Sequence, residues 1–253
     1  MTKSLHIDQL LDYFKEVAVF NNTDLLQFYE NADSEISRST LNWRIHSLVK
    51  KGIIKRRGRG LFALGESTEF APEIDSSAKK MYTQVKKQFP YVKICFWNTK
   101  IFNQWMLHQP SHYSMLVEVD KDALESVFQF LQEYYDNVFL QPDKAILERY
   151  TVAKPNVIIV LPLISEAPIQ KVHNVTTTTL EKLIVDVFCD PDIFAAQQGR
   201  DLSFIYDNIF SKYTINKNKL LRYADRRKKK GALLNYLITK TKFRHIYGES
   251  AVS

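Results

Sequence analysis

The most informative hydrophobic pattern lies between residues 36 and 65 and changes its period partway along. Four apolar residues stand at the i, i+4, i+7 and i+8 spacing of one helix face, namely Leu41, Ile45, Leu48 and Val49. Ser37 can cap this predicted helix, and Gly52 fits its end because glycine adopts the left-handed conformation without steric cost. Two short strands, Ile53–Arg57 and Leu61–Leu64, are predicted to follow, joined by the turn Gly58-Arg59-Gly60.

Two further helices are predicted before this segment. Leu5–Phe20 carries apolar residues along one side, and Asp24–Tyr29 can be capped by Asn22 or Thr23. Three helices followed by a hairpin are the order that a winged helix-turn-helix domain requires. The sequence therefore predicts such a DNA-binding domain over residues 1–65.

Beyond this domain the pattern is first polar and then alternates between strands and helices. Residues 66–77 contain Pro72 and a Ser-Ser pair, which is typical of a linker. Predicted strands cover residues 91–97, 114–119, 137–140, 156–161 and 169–172, and predicted helices cover 78–89, 99–106, 121–135, 180–189, 202–212, 217–226 and 228–239. Residues 78–253 are thus predicted to form an α/β domain with a helical C-terminal end, which makes the whole chain a mixed α+β and α/β protein.

Charge is distributed unevenly along the chain. The net charge is +7, but residues 36–65 contain eight basic residues and no acid, and residues 212–247 contain twelve basic residues and one acid, Asp225. A solvated surface normally mixes both signs, so segments of one sign favour contact with nucleic acid. The middle of the chain is acidic, which favours contact with a partner other than nucleic acid.

The polar residues of the predicted third helix and of the hairpin are the candidate DNA contacts. In helix-turn-helix proteins the N-terminal part of the recognition helix meets base edges, where Arg and Asn read guanine and adenine. The candidates on the helix are Ser37, Arg38, Ser39, Thr40, Asn42, Arg44 and His46. The hairpin candidates, which would neutralise phosphates, are Lys55, Arg56, Arg57 and Arg59, with Arg59 at the tip. For Trp43 the helical spacing favours packing over a base contact.

The chain carries no recognisable catalytic, cofactor or metal motif. A Gly-rich phosphate loop, a paired Cys/His spacing and a Gly-x-Ser-x-Gly elbow are all missing from the sequence. His108 and His112 are four residues apart, but Pro110 between them breaks any helix that would present them to zinc. We therefore predict no metal, no cofactor and no enzymatic activity.

One set of acids permits an alternative interpretation. Glu148, Glu181, Asp186 and Asp190, together with Lys182, are candidates for a metal-dependent nuclease site. The last four residues also fit the solvent face of one helix, on which Lys182 and Asp186 would form an i, i+4 ion pair. The sequence favours this second interpretation.

The remaining composition points to the cytoplasm. Cys95 and Cys189 stand in separate apolar runs without ligand spacing, as expected of buried free thiols in a reducing compartment. The N-terminus shows no signal-peptide pattern, and no apolar run is long enough to span a bilayer. We expect a cytoplasmic protein with no membrane partner.

Four stretches of the chain resemble one bacterial protein family. LNWRIHSLVKKGIIKRRGRGLFAL, residues 41–64, resembles the winged-helix domain of AbiEi-type antitoxins, the transcription-regulator half of type IV toxin–antitoxin operons. CFWNTKIFNQWMLHQP, VEVDKDALESVF and TTTTLEKLIVDVFCD are similar to the second domain of that group. The resemblance extends in order over roughly residues 1–200 and is weaker over the basic C-terminus; of these motifs the Thr-Leu-Glu-Lys-Leu-Ile-Val-Asp stretch is the more specific.

The resemblance implies a function for each domain. The first would bind double-stranded DNA at inverted repeats in its own promoter and repress the operon. The second would counteract a nucleotidyltransferase-like toxin without forming a stable complex with it. A DNA-binding autorepressor and antitoxin is therefore the predicted function. A metal-dependent nuclease or other nucleic-acid enzyme targeted by a winged helix, and a winged-helix adaptor for an acidic protein, are the alternatives.

Overall fold

The computed structural model describes residues 5–17, 19–32, 36–58, 60–65, 70–151, 154 and 157–243. These residues form a mixed α/β protein with three small sheets. The chain divides into two compact units. The first consists of the described parts of Met1–Glu69 and Leu237–Ser253 with Phe210–Lys217, and the second consists of Phe70–Ile209 and Asn218–Tyr236. The C-terminal part of the predicted 78–253 domain therefore contributes residues to both units.

The N-terminal part of the first unit contains three helices and one antiparallel sheet. Its elements in chain order are α1 (Ile7–Phe14), β1 (Phe20–Asn21), α2 (Asn22–Ala32), α3 (Arg38–Lys50), β2 (Ile54–Gly58) and β3 (Leu61–Leu64). The strand order is β1-β3-β2, with both pairs antiparallel. The sequence had predicted a single helix over Leu5–Phe20, and this was wrong at its C-terminal end, because Phe20 pairs with Phe62 as a strand.

Local hydrogen bonds explain where α2 and α3 begin. The Ser37 hydroxyl accepts a hydrogen bond from the Thr40 backbone N–H at 3.2 Å, so the predicted cap of α3 is confirmed. At α2 the cap is Asn21 rather than Asn22 or Thr23. Its side-chain oxygen accepts from the backbone of Thr23 at 2.6 Å, and Asp24 Oδ2 accepts from the Asn21 N–H at 2.7 Å, which forms a reciprocal capping box.

A single apolar core joins these helices to the small sheet. Its buried residues are Leu10, Phe14, Phe20, Leu25, Phe28, Tyr29, Leu41, Ile45, Leu48, Ile54 and Phe62. The rings of Phe14 and Phe20 stack with their centroids 4.0 Å apart, and Phe20 also stacks on Phe62 at 6.4 Å. Burying each such ring contributes about 1.5–3 kcal/mol, which holds the two-residue strand β1 in place despite its length.

The second unit is built on a four-stranded mixed sheet. Its first elements are α4 (Ser76–Gln88), β4 (Ile94–Asn98), β5 (Ser114–Val119), α5 (Leu124–Gln132), β6 (Val138–Leu140), α6 (Lys144–Ile146) and β7 (Val157–Pro162). The strand order is β4-β5-β7-β6, in which β4 is antiparallel to β5 while β5, β7 and β6 run parallel. The core on this sheet includes Val85, Phe96, Val117, Leu131 and Val160.

The rest of the described chain is a hairpin followed by helices. These elements are β8 (Ile169–Val172), β9 (Val175–Thr178), α7 (Leu180–Cys189), α8 (Arg200–Lys212), α9 (Lys217–Arg226) and α10 (Lys230–Lys240). β8 and β9 pair antiparallel, so the predicted strand at 169–172 is confirmed and β9 is added to it. Of the predicted linker, residues 66–69 lie outside the described residues, and α4 begins at Ser76. No helix in the described ranges is both long and apolar enough to cross a membrane.

Candidate functional site

The outer face of α3 carries most of the residues predicted to contact DNA. Ser37, Arg38, Ser39, Asn42 and His46 are exposed, and Thr40 is half-buried. The Ser37 hydroxyl lies 2.8 Å from that of Ser39 and 2.9 Å from that of Thr40, so the three hydroxyls form one local cluster at the helix N-terminus. A helix N-terminus with exposed hydroxyls favours an anionic ligand such as a phosphate.

Trp43 lies on the same outer face. Its side chain is 46% exposed, one turn before His46 and two turns before Lys50. This large partly exposed ring is unusual on a charged surface, and it widens the face that α3 presents to solvent. The packing role favoured by the sequence therefore leaves much of the indole accessible.

Arg44 is not on this surface, which corrects the prediction that it contacts DNA. Its side chain is only 5% exposed, and its guanidinium lies 4.3 Å from the ring centroid of Tyr29 in α2. The reason is position: residue 44 is three after Leu41 and four before Leu48, so it falls on the core face of α3. A desolvated cation–π contact of this kind contributes about 2 kcal/mol, and it gives Arg44 a structural role.

Arg57 is the second correction. It is 8% exposed, and its guanidinium donates hydrogen bonds to the carbonyls of Phe210 at 2.8 Å, Ser211 at 3.0 Å and Tyr213 at 3.0 Å. These carbonyls belong to the last turn of α8 and the residue just beyond it, the part of a helix that commonly receives donors from outside the helix. Arg57 therefore caps the C-terminus of a helix, in agreement with the helix dipole, rather than contacting phosphates.

The rest of the hairpin retains cationic side chains on its surface. Arg56 is exposed, with its guanidinium 5.4 Å from the ring centroid of Phe62. Lys55 is half-buried, and burial together with the nearby charge of Arg57 lowers its pKa. Arg59, predicted at the hairpin tip, lies outside the described residues. Lys50 and Lys51 are exposed at the end of α3 and add two cations to this surface, although the sequence did not single them out as DNA contacts.

The second unit contains a buried cluster of charged side chains, which we call the α7 cluster. Lys182 is fully buried and Asp186 is 3% exposed. Lys182 Nζ donates to Asp186 Oδ2 and to Glu118 Oε1 of β5, both at 2.5 Å. The predicted i, i+4 pair is thus confirmed, but the predicted solvent face is wrong, because neighbouring Leu183, Val185 and other residues all round α7 are buried as well.

Four further side chains complete the α7 cluster. Tyr223 donates its hydroxyl to Asp186 Oδ1 at 2.8 Å, and Arg227 donates to the same oxygen at 3.1 Å. Arg227 also reaches both carboxylate oxygens of Asp190 at 2.7 Å. On the other side, Trp97 Nε1 donates to Glu118 Oε1 at 2.6 Å. The cluster thus links β4, β5, α7 and the end of α9 within the second unit.

The electrostatics of the α7 cluster follow from its burial. Burial raises the pKa of Glu118, and Asp186 raises it further, while the ammonium of Lys182 and the hydrogen bond from Trp97 oppose this shift. Burial alone would lower the pKa of Lys182, but the carboxylates of Asp186 and Glu118 hold it well above its usual range. Removing each ion from water costs several kcal/mol, and the attraction between the opposite charges offsets this desolvation cost.

A cleft of about 270 Å³ opens beside the α7 cluster. It lies where the three parallel strands end, because its lining includes Glu118 of β5, Leu161 of β7, and Gln141, which directly follows β6. In open α/β sheets ligands bind outside the carboxyl ends of the strands. The position of the cleft is therefore that of a ligand site.

The candidate nuclease residues are only partly brought together. Lys182, Asp186 and Asp190 share the α7 cluster, whereas Glu148 is exposed and pairs with Lys144 at 3.7 Å. Within the described ranges no three His, Cys, Asp or Glu side chains are grouped so that they can hold a metal ion. The carboxylates of Asp186 and Asp190 already have lysine and arginine partners.

Sequence reasoning missed Glu118, the carboxylate of the cluster that comes from the sheet. It is the one acid in the apolar strand SMLVEV. A single acid within an apolar strand of a central sheet indicates a buried carboxylate with a functional or structural role. Trp97, Tyr223 and Arg227 had no comparable signal, because their partners are distant in sequence.

The two cysteines are free. Cys95 is buried, which raises the pKa of its thiol well above the usual range. Cys189 at the end of α7 is half-buried, and burial raises its pKa to about 11. Raised pKa values of this kind lower the thiolate fraction of both residues at neutral pH.

These features define a mixed α/β protein whose first unit exposes a polar and cationic helix and whose second unit buries a charged cluster beside a cleft. The chain belongs to a family of unknown function, DUF6577, which matches it over residues 40–242. The match begins within α3 and ends just beyond α10, so it includes residues of both units. Comparison with curated proteins gave no match.

Proposed function

We propose that this protein is a DNA-binding transcriptional regulator whose N-terminal residues form a winged helix-turn-helix. One observation carries the proposal: α2, α3 and the β2–β3 hairpin follow one another around a single core, and α3 turns a polar and cationic face to solvent. The element order is the one expected of this class, and β1 adds a third strand to the hairpin. The cytoplasmic location expected from the sequence is part of this proposal.

Base recognition falls to the first half of α3. The major groove is about 12 Å wide and admits a helix whose N-terminal residues meet base edges. Arg38 can donate two hydrogen bonds to a guanine, and Asn42 can bond an adenine in the same bidentate way. His46 and Trp43 lie further along the same face and contact the flank of the site.

Phosphate contacts fall to the helix N-terminus and the cations around it. Ser37, Ser39 and Thr40 present hydroxyls there, while Lys50, Lys51 and Arg56 are the exposed cations. Each phosphate neutralised releases counterions and contributes about −0.9 to the slope of log K against log salt. Binding should therefore weaken steeply as salt is raised.

The biological target follows from the resemblance to AbiEi-type antitoxins. On that basis we propose that the DNA is the promoter of the protein's own operon, read at inverted repeats. We also propose that the second unit counteracts a nucleotidyltransferase-like toxin without a stable complex. Co-expression tests this part: the protein should restore growth to cells that express the toxin encoded next to it, while the two proteins do not co-purify.

Fluorescence anisotropy with the DNA upstream of the gene tests the DNA proposal. The wild-type protein should prefer this DNA to a shuffled sequence, and Arg38→Ala and Asn42→Ala should each reduce the preference by about 1–3 kcal/mol. Lys121→Ala, an exposed lysine of the second unit, is the matched control and should change nothing. Absence of salt-sensitive binding to any duplex would refute the proposal.

A further inference from the structure

One carboxylate oxygen in the cleft beside the α7 cluster has no hydrogen-bond donor among the described residues. Glu118 is 4% exposed and lines the cleft. Its Oε1 accepts both hydrogen bonds, from Trp97 and Lys182, whereas Oε2 accepts none from the part of the chain that the structure describes. Because Glu118 lines the cleft, this oxygen can accept a hydrogen bond from a donor that enters there.

The net charge of the cluster indicates whether the ligand that carries this donor is a cation or an anion. Three carboxylates (Glu118, Asp186, Asp190) face two cations (Lys182, Arg227), which leaves a net charge of 2 − 3 = −1 when all are ionised. The guanidinium of Arg227 is already occupied by Asp186 and Asp190. An anion would therefore meet a surplus of negative charge, while a cation would neutralise it.

The residues that line the cleft indicate that the rest of the ligand is apolar. Leu116, Leu161, Ile164 and Ile193 line it, and the indole of Trp97 stacks on Phe194 with a centroid distance of 5.6 Å and an angle of 14°. Apolar walls with a few convergent polar groups are typical of small-molecule sites. The volume corresponds to roughly nine water molecules, since a water occupies about 30 Å³.

We propose that this cleft binds a small organic cation, a guanidinium or primary ammonium compound with a short apolar body, whose N–H groups donate to Glu118 Oε2. Such charge-assisted hydrogen bonds are the strongest that a carboxylate makes, and a guanidinium matches its geometry best. The raised pKa of Glu118 agrees with this, because burial without a full set of donors disfavours the carboxylate until a cation binds. The proposal does not depend on DNA binding.

Isothermal titration calorimetry on the full chain at neutral pH tests the proposal with a matched pair of probes. Butylguanidinium and its neutral isostere butylurea have the same shape and differ in charge. Butylguanidinium should bind saturably at one site with a Kd of about 1 mM or below, and butylurea at least about tenfold more weakly. Equal binding of the two, tighter binding of the anion pentanoate, or no saturable binding of butylguanidinium would overturn the proposal.

Three variants assign the binding to the cleft. Glu118→Gln keeps the side-chain shape and an acceptor for Trp97, and it should weaken butylguanidinium at least about tenfold. Arg227→Gln removes a cation from the cluster and should tighten butylguanidinium severalfold. Glu133→Gln, an exposed carboxylate of the same unit, is the control and should leave the Kd unchanged.

The Arg227→Gln result separates binding from structure. If the cluster has a purely structural role, removing Arg227 should weaken any binding, whereas the added negative charge should tighten the binding of a cation. Circular dichroism checks that each variant is folded, and if Glu118→Gln does not fold, Arg227→Gln alone decides. Unchanged or weaker butylguanidinium binding by folded Arg227→Gln would refute the proposed site.

Discussion

The replacement Arg57→Met separates the structural role of this residue from the DNA contact that the sequence predicted. Methionine keeps most of the side-chain volume, so the change removes mainly the guanidinium. That group donates three hydrogen bonds to the end of α8, all from a side chain that is almost completely buried. The loss should therefore appear as reduced stability of the first unit.

The expected magnitude follows from these three bonds. Hydrogen bonds to charged groups contribute about 1.5–3 kcal/mol each, but three that share one guanidinium do not add. Desolvating that guanidinium also has a cost, which the replacement recovers. We therefore expect a loss of about 3 kcal/mol in the free energy of unfolding, which moves a urea midpoint by about 1–3 M at usual m-values.

The neighbouring residue provides the control. Arg56→Met changes an exposed side chain in the same strand, and it should alter stability by no more than about 0.5 kcal/mol. For DNA binding the larger effect should come from Arg56. Arg56→Met should reduce the slope of log K against log salt by about 0.9, whereas folded Arg57→Met should leave this slope unchanged. Urea denaturation followed by circular dichroism and anisotropy titrations at several salt concentrations measure both effects. A stable Arg57→Met with a reduced salt slope would refute the capping role.

Two more predictions concern the second unit. Asp186→Asn leaves buried Lys182 with a single carboxylate partner, so it should lower the free energy of unfolding by about 3 kcal/mol. As the control, replacement of the exposed Glu148 by Gln should change the free energy of unfolding by less than about 0.5 kcal/mol. Equal urea midpoints for the two variants would contradict this prediction. Cys189 has a pKa of about 11 instead of 9.0, so at pH 8 its thiolate is about a hundredfold scarcer than in an ordinary thiol. Its alkylation rate should rise about tenfold per pH unit up to that pKa while Cys95 stays protected, and a plateau near pH 9 would contradict it.

The sequence determined the local elements of the first unit and the polarity of their surfaces. Ser37 and Gly52 mark both ends of α3, because capping and left-handed backbone are properties of single residues and their immediate neighbours. The helical period placed Leu41, Ile45 and Leu48 in the core. The concentration of basic residues between residues 36 and 65 was also visible without any structure.

Only the tertiary structure decided which charged residues reach the surface. Arg57 bonds to carbonyls more than 150 residues away, and no local pattern records such a partner. Lys182 and Asp186 have the spacing of a solvent-exposed pair, yet residues 182–187 of α7 are all buried, so the pair lies inside and bonds to Glu118 of the sheet. Periodicity determines which residues share a face of a helix, but what covers that face depends on the packing of distant elements.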